Sequence, residues 1–127
     1  MQKNIVETTE APAAIGPYSQ AVKAGNLLFV SGQIPLDPKT GNLITTCIED
    51  ETHRVMKNIE AILQAADTSF QNVVKTTIFL KSMDDFAKVN AVYASYFTGN
   101  FPARETVEVS GLPKGARVEI SVIASGE

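Results

Sequence analysis

From Val73 to Lys81 the chain is rich in β-branched residues and holds no breaker, which predicts a strand with neighbours on both sides. A central strand needs partners, and the sequence offers several. Ile5 to Thr8 suits a short strand. Gln20–Lys23 and Leu27–Val30 flank Gly25-Asn26, the pattern of a hairpin turn. Arg104–Ser110 and Ala116–Ala124 read as two more strands, joined by Gly111-Leu112-Pro113-Lys114-Gly115. The segment 35–42 is dense in turn formers and reads as an exposed loop.

Two stretches change period. Val55, Met56, Ile59, Ile62, Leu63 and Ala66 recur at helical spacing, with Thr46 and Glu49 placed as a capping box and Glu51, Arg54, Lys57 and Glu60 on the outer face. A second helix is expected from about Asp84 to Thr98, capped by Ser82 and stopped by Gly99, with Phe86, Val89, Tyr93, Tyr96 and Phe97 inward. Strands followed by a helix, twice over, predict an α+β fold in which one sheet carries both helices on one face. The opposite face then needs cover, and a partner subunit would supply it.

Composition narrows the function classes. At 127 residues the chain has room for one domain. A net charge of -3 without a basic cluster removes the electrostatic footprint of a nucleic-acid binder. No apolar run approaches the ~20 residues that cross a bilayer, and the N-terminus lacks the pattern of a signal peptide, so a cytoplasmic location is expected. A single cysteine, Cys47, and a single histidine, His53, permit neither an internal disulfide nor a zinc site built on those ligands.

Arg104, one of three arginines, follows the turn-former Pro102 at the mouth of a strand, where its guanidinium is well set to grip a small carboxylate. If the last two strands form an antiparallel hairpin, one register sets Val107 against Val118 and Val109 against Ala116 on one face. It sets Glu108 against Arg117 and Thr106 against Glu119 on the other, with Arg104 diagonal to them. Arg104, Thr106 and Glu119 are then expected as one polar patch. A solvated sheet face with an ordinary ion pair would look the same. Other positions have plain readings: His53 as a solvated helix residue, Cys47 as a partly buried structural thiol, and Tyr93, Tyr96 and Phe97 as core. Gly32 would mark a close backbone approach, Asn90 a tolerated polar position in a helix, and Lys75 would point toward a cavity or channel.

The motifs Ala11-Pro12-Ala13-Ala14-Ile15-Gly16-Pro17-Tyr18-Ser19-Gln20, Ser31-Gly32-Gln33-Ile34-Pro35, Phe101-Pro102-Ala103-Arg104, Leu112-Pro113-Lys114 and Val118-Glu119-Ile120 stand in order along nearly the whole chain. With them the sequence resembles the RidA (YjgF) family. The resemblance implies a chorismate-mutase-like α+β fold, a single domain over 1–127 with one mixed sheet, and a homotrimer with ligand clefts between subunits. No cofactor or metal is expected. It also implies hydrolytic deamination of reactive 2-imino acids and their enamine tautomers, such as 2-aminoacrylate and 2-aminocrotonate, which pyridoxal-phosphate enzymes release. The products would be 2-keto acids and ammonia. By the resemblance Arg104 binds the carboxylate, Glu119 holds the water, and Tyr18, Ser31, Gly32 and Asn90 line the pocket. Many relatives have cysteine where this chain has Thr106, so a thiol nucleophile is absent and a positioned water must suffice.

On this reading Arg104 and Glu119 face one cleft, closed by an adjoining protomer. Tyr18 donates a hydrogen bond or shuttles a proton, while the Ser31 hydroxyl and the Gly32 amide hold other substrate oxygens. Two other classes stay open: a 2-keto-acid-binding regulator without turnover, and a ribonuclease or translation inhibitor, the latter disfavoured by the acidic balance.

Overall fold

The chain folds as six strands and two α-helices in a computed structural model that describes residues 2–126. In order they are β1 (Lys3–Val6), β2 (Ala21–Ala24), β3 (Leu27–Gln33), α1 (Ile48–Ala65), β4 (Val73–Leu80), α2 (Phe86–Ala94), β5 (Ala103–Glu108) and β6 (Val118–Ser125). The strands form one mixed sheet in the order β1-β2-β3-β6-β4-β5. β2 and β3 form the expected hairpin, with Gly25 at φ 60, a conformation glycine adopts without a Cβ penalty. β4 has a neighbour on each side, as its composition requires: parallel β5 and antiparallel β6.

The expected β5–β6 hairpin does not form. β6 is inserted between β3 and β4, which leaves β5 at the sheet edge. Burial explains the choice. Val118, Ile120, Val122 and Ala124 are all at most 3% exposed, so β6 belongs at the centre. β5 offers Arg104, Thr106 and Glu108 on the corresponding face, too polar for that place. The connecting segment turns through Pro113–Gly115, with Lys114 (φ 58) and Gly115 (φ 72) left-handed, and carries the chain past β4.

Register then decides which side chains share a face, because paired residues on adjacent strands project the same way. Thr76 pairs with both Arg104 and Val122, and Ile78 with both Thr106 and Ile120. Arg104 and Thr106 therefore lie on the helix-covered face. Phe79 pairs with both Val107 and Glu119, placing Glu119 on the other face. The expected single polar patch is corrected: one sheet separates Arg104 from Glu119.

Both helices cover the same face. Val55, Met56, Ile59, Ile62 and Leu63 of α1 and Val89 and Tyr93 of α2 join Leu28, Val30, Ile78, Leu80 and the inward residues of β6 in one core. The other face leaves Ile5, Leu27, Phe29 and Val107 exposed, the uncovered apolar surface that the sequence anticipated.

Details of the helices differ from expectation. Cys47, not Thr46, caps α1, its Sγ accepting from the Asp50 N–H at 3.4 Å. Glu51 is not on the outer face. It is 2% exposed and receives the Arg117 Nε at 3.1 Å and Nη2 at 2.5 Å. Glu108, the expected partner of Arg117, instead accepts from the Met83 N–H at 2.8 Å. The second helix starts through a 3-10 turn, Met83–Asp85, capped by Ser82, and its α-helical part ends at Ala94 rather than near Thr98. Single turns, Tyr96 N–H to Tyr93 O and Phe97 N–H to Ala94 O, carry the chain onward to Gly99.

Candidate active site

The polar residues singled out in the sequence collect in two half-sites on opposite faces of the sheet. In the first, Arg104 leaves the start of edge strand β5 and donates from Nη1 to Asn90 Oδ1 at 2.7 Å. Its guanidinium carbon lies 5.2 Å from the Tyr93 ring centre and 5.7 Å from that of Phe86, within cation–π range. Phe86, Asn90 and Tyr93 are spaced by four and three residues, so α2 presents them along one face. Tyr93 is fixed in turn by its hydroxyl, which donates to Thr76 Oγ1 at 2.9 Å. Burial pushes the Tyr93 phenol up, against the pull of the Thr76 hydrogen bond and the Arg104 charge. Among the described residues Arg104 makes no ion pair. The guanidinium is thus oriented by a neutral amide and cradled by rings, with its charge unmatched. It borders a depression of about 410 Å³ that Phe101, Pro102 and Ala94 help to line. Two residues further along β5, Thr106 Oγ1 is buried and has no hydrogen-bond partner among the described residues.

The second half-site is a cleft of about 670 Å³ whose lining includes Tyr18, Ser31, Gly32, Ile34, Pro113 and Glu119. The ladder between β3 and β6 shifts register between Val30 and Gln33, a bulge that falls on Ser31 and Gly32. The Glu119 carboxylate lies across this bulge. A Cβ at Gly32 would sit 2.2 Å from Glu119 Oε2 and 2.8 Å from its Cδ, so only glycine leaves the carboxylate in place. The expected close approach at Gly32 is therefore to a side chain rather than to a backbone. Burial raises the Glu119 pKa above the ordinary carboxylate value.

One expected role changes. The Ser31 hydroxyl already donates to Ser19 O at 2.5 Å, so it can receive a hydrogen bond from a ligand but has no proton to give one. Lys75 lies on the sheet face away from the helices and pairs with Glu105 at 3.2 Å. His53 sits on the exposed side of α1, as expected, but its Nδ1 is 2.8 Å from the Tyr96 hydroxyl. Tyr18 is 54% exposed, and its hydroxyl finds no partner among the described residues. The aromatic cradle around Arg104 was missed in the sequence, although the spacing of Phe86, Asn90 and Tyr93 carries the signal. Among the described residues no cluster of three or more His, Cys, Asp or Glu side chains is arranged to hold a metal, and no helix is long and apolar enough to cross a membrane.

The family described as Endoribonuclease L-PSP matches residues 8–125. The chain is 48% identical over 122 residues to the mouse 2-iminobutanoate/2-iminopropanoate deaminase, covering 96% of this chain and 90% of that protein. It is also 48% identical over 125 residues to the Arabidopsis thaliana Reactive Intermediate Deaminase A, chloroplastic, covering 98% of this chain and 67% of that one. The crystal structure of E. coli TdcF with bound serine superposes with a TM-score of 0.92 at 40% identity, covering 96% and 98% of the two chains. The chain belongs to the Endoribonuclease L-PSP, or RidA, family, and its single mixed sheet with two helices is the fold of that family.

Proposed function

We propose that this protein hydrolyses reactive 2-imino acids, and the enamines in equilibrium with them, to 2-keto acids and ammonia. The observation that carries the reading is the Arg104 guanidinium, held by Asn90 and two aromatic rings yet matched by no carboxylate among the described residues. Such a group is prepared for an anion that arrives from outside, and a planar carboxylate fits it by two parallel hydrogen bonds. The names of the mouse and Arabidopsis relatives, and the serine bound by TdcF, support a small α-amino or α-imino carboxylate as that anion.

Because the sheet separates Arg104 from Glu119, a complete site needs two copies of the chain. We place it between neighbouring protomers of a homotrimer, with Arg104, Asn90 and Thr106 from one and Tyr18, Ser31, Gly32 and Glu119 from the next. The exposed apolar residues on the sheet face of Glu119 are suited to such packing. In the reaction Arg104 fixes the substrate carboxylate. Water attacks the protonated imine carbon while Glu119 takes the water's proton, giving a carbinolamine. Glu119 then returns that proton to the nitrogen; the C–N bond breaks, ammonia leaves, and loss of the hydroxyl proton gives the keto acid. On this reading the Gly32 amide binds a ligand oxygen, the Thr106 hydroxyl becomes available to the ligand only where the two protomers meet, and Tyr18 donates a hydrogen bond or passes a proton.

Coupling the protein to a threonine dehydratase and following keto-acid release tests the activity. Binding of 2-keto acid without any acceleration would favour a regulatory role instead. Mixing tests the shared site: Arg104→Ala and Glu119→Gln proteins, each strongly impaired, should regain activity when refolded together, because some interfaces then hold both intact residues. Failure to recover would show that the two residues do not serve a common site.

A further inference from the structure

One buried amide closes the loop that carries Tyr18. Gln20 is 4% exposed, and its side chain is fully engaged with the beginning of that loop. Its Oε1 accepts from the Thr8 N–H at 2.7 Å. Its Nε2 donates to Thr8 O at 3.0 Å, to Pro12 O at 2.8 Å and, at 3.3 Å, to Ala11 O. At the other end the backbone is fastened to β3, since the Ser31 N–H donates to Gln20 O at 2.9 Å and the Ser31 hydroxyl to Ser19 O. The loop between Thr8 and Gln20 is therefore pinned at its neck. Its tip is open: Ile15 is 82% and Tyr18 54% exposed. Beyond the neck the only backbone bond within the loop, among the described residues, is Tyr18 N–H to Gly16 O at 2.9 Å.

Within one protomer Tyr18 packs on little and its hydroxyl bonds to none of the described residues, so there it takes its position from its backbone. Pro12, Ala13, Ile15 and Tyr18 form one wall of the Glu119 cleft, and that wall hangs from the Gln20 amide. We propose that Gln20 is a positioning residue, which sets where Tyr18 stands relative to Glu119 and so fixes the width of the cleft. Only a primary amide of this length both accepts from Thr8 and donates to the carbonyls beyond it. The inference rests on the deaminase reading for its kinetic consequence, but its structural consequence stands apart from that reading.

The test uses both. The chain has three tyrosines and no tryptophan, so 3-fluorotyrosine labelling gives three fluorine signals, with Tyr18 assigned through Tyr18→Phe. In Gln20→Met the Tyr18 signal should shift or broaden while those of Tyr93 and Tyr96 stay in place. With iminobutanoate generated in situ, kcat/KM should fall roughly 10- to 100-fold, and the Gln20→Met/Tyr18→Phe double variant should be no worse than the poorer single variant. Should Gln20→Met fail to fold, Gln20→Glu keeps the acceptor for Thr8, loses the donors, and is read in the same way. An unmoved Tyr18 signal in a folded Gln20 variant, or losses that multiply in the double variant, overturns the proposal. A wild-type protein that does not accelerate imine hydrolysis sinks the deaminase reading and leaves the fluorine result to judge Gln20 alone.

Discussion

Two arginines and two glutamates of this protein sit in partly or fully desolvated places, and the fold treats the pairs in opposite ways. Arg117 and Glu51 meet: the guanidinium forks onto a carboxylate that is almost wholly buried. The Glu51 hydrogen bond, chiefly, holds the Arg117 pKa above its ordinary value. This charge is cancelled within the chain and has nothing left to offer a ligand. Arg104 and Glu119 are kept apart by the sheet, the one leaning on a neutral amide and aromatic rings, the other lying over a glycine and, among the described residues, forming no salt bridge. Desolvation uncompensated by a partner raises the Glu119 pKa. Charges that are matched hold the fold together, whereas charges left unmatched store binding and chemical potential for another molecule.

That contrast can be broken most directly at Arg104. Arg104→Ala should lower kcat/KM for imine hydrolysis by roughly 10²–10³-fold, the scale on which loss of a preorganised charge donor acts. Its urea midpoint should stay close to wild type, since no buried carboxylate loses a partner. Arg117→Met should reverse the pattern. Leaving Glu51 buried and unpaired should cost about 3 kcal/mol in urea unfolding, with kcat changed little in the protein that remains folded. A large rate loss in Arg117→Met, or a large stability loss in Arg104→Ala, would collapse the distinction between the two arginines.

The smallest effect concerns Glu119 and has a definite sign. Its folded pKa is raised, so folding favours the neutral acid. The stability this provides is fully present below the unfolded value near 4.5 and is lost as pH rises through the folded pKa. Glu119→Gln should therefore match wild type in thermal unfolding below that value and exceed it slightly at neutral pH, while losing deaminase activity. A variant less stable than wild type at neutral pH would mean that the ionised carboxylate is favoured after all.

Much of this architecture was legible locally. The β-branched run of β4, the Gly25 turn, and the helical spacing of Val55, Met56, Ile59 and Ile62 each report a preference that neighbouring residues settle among themselves. Arg104 was legible as a cation at a strand mouth because Pro102 and the start of the strand stand beside it in sequence. The partner of Arg117 was not. Choosing between Glu108 and Glu51 depends on where β6 lies relative to α1, a separation of 66 residues along the chain. For the same reason Glu51 looked like part of a solvated helix face: helical periodicity says which residues share a stripe, but not which polar member of a stripe a distant strand will cover.

The sequence by itself determined that β5 and β6 are strands with alternating faces, so that Arg104 goes with Thr106, and that Glu119 opposes the apolar residues on either side of it. Only the tertiary structure decided that β6 enters the middle of the sheet and β5 its edge, turning Arg104 and Glu119 to opposite sides. Alternation is set by the backbone of a single strand. The order of strands is settled by which of them can bury the most apolar surface, a competition in which every strand of the sheet takes part.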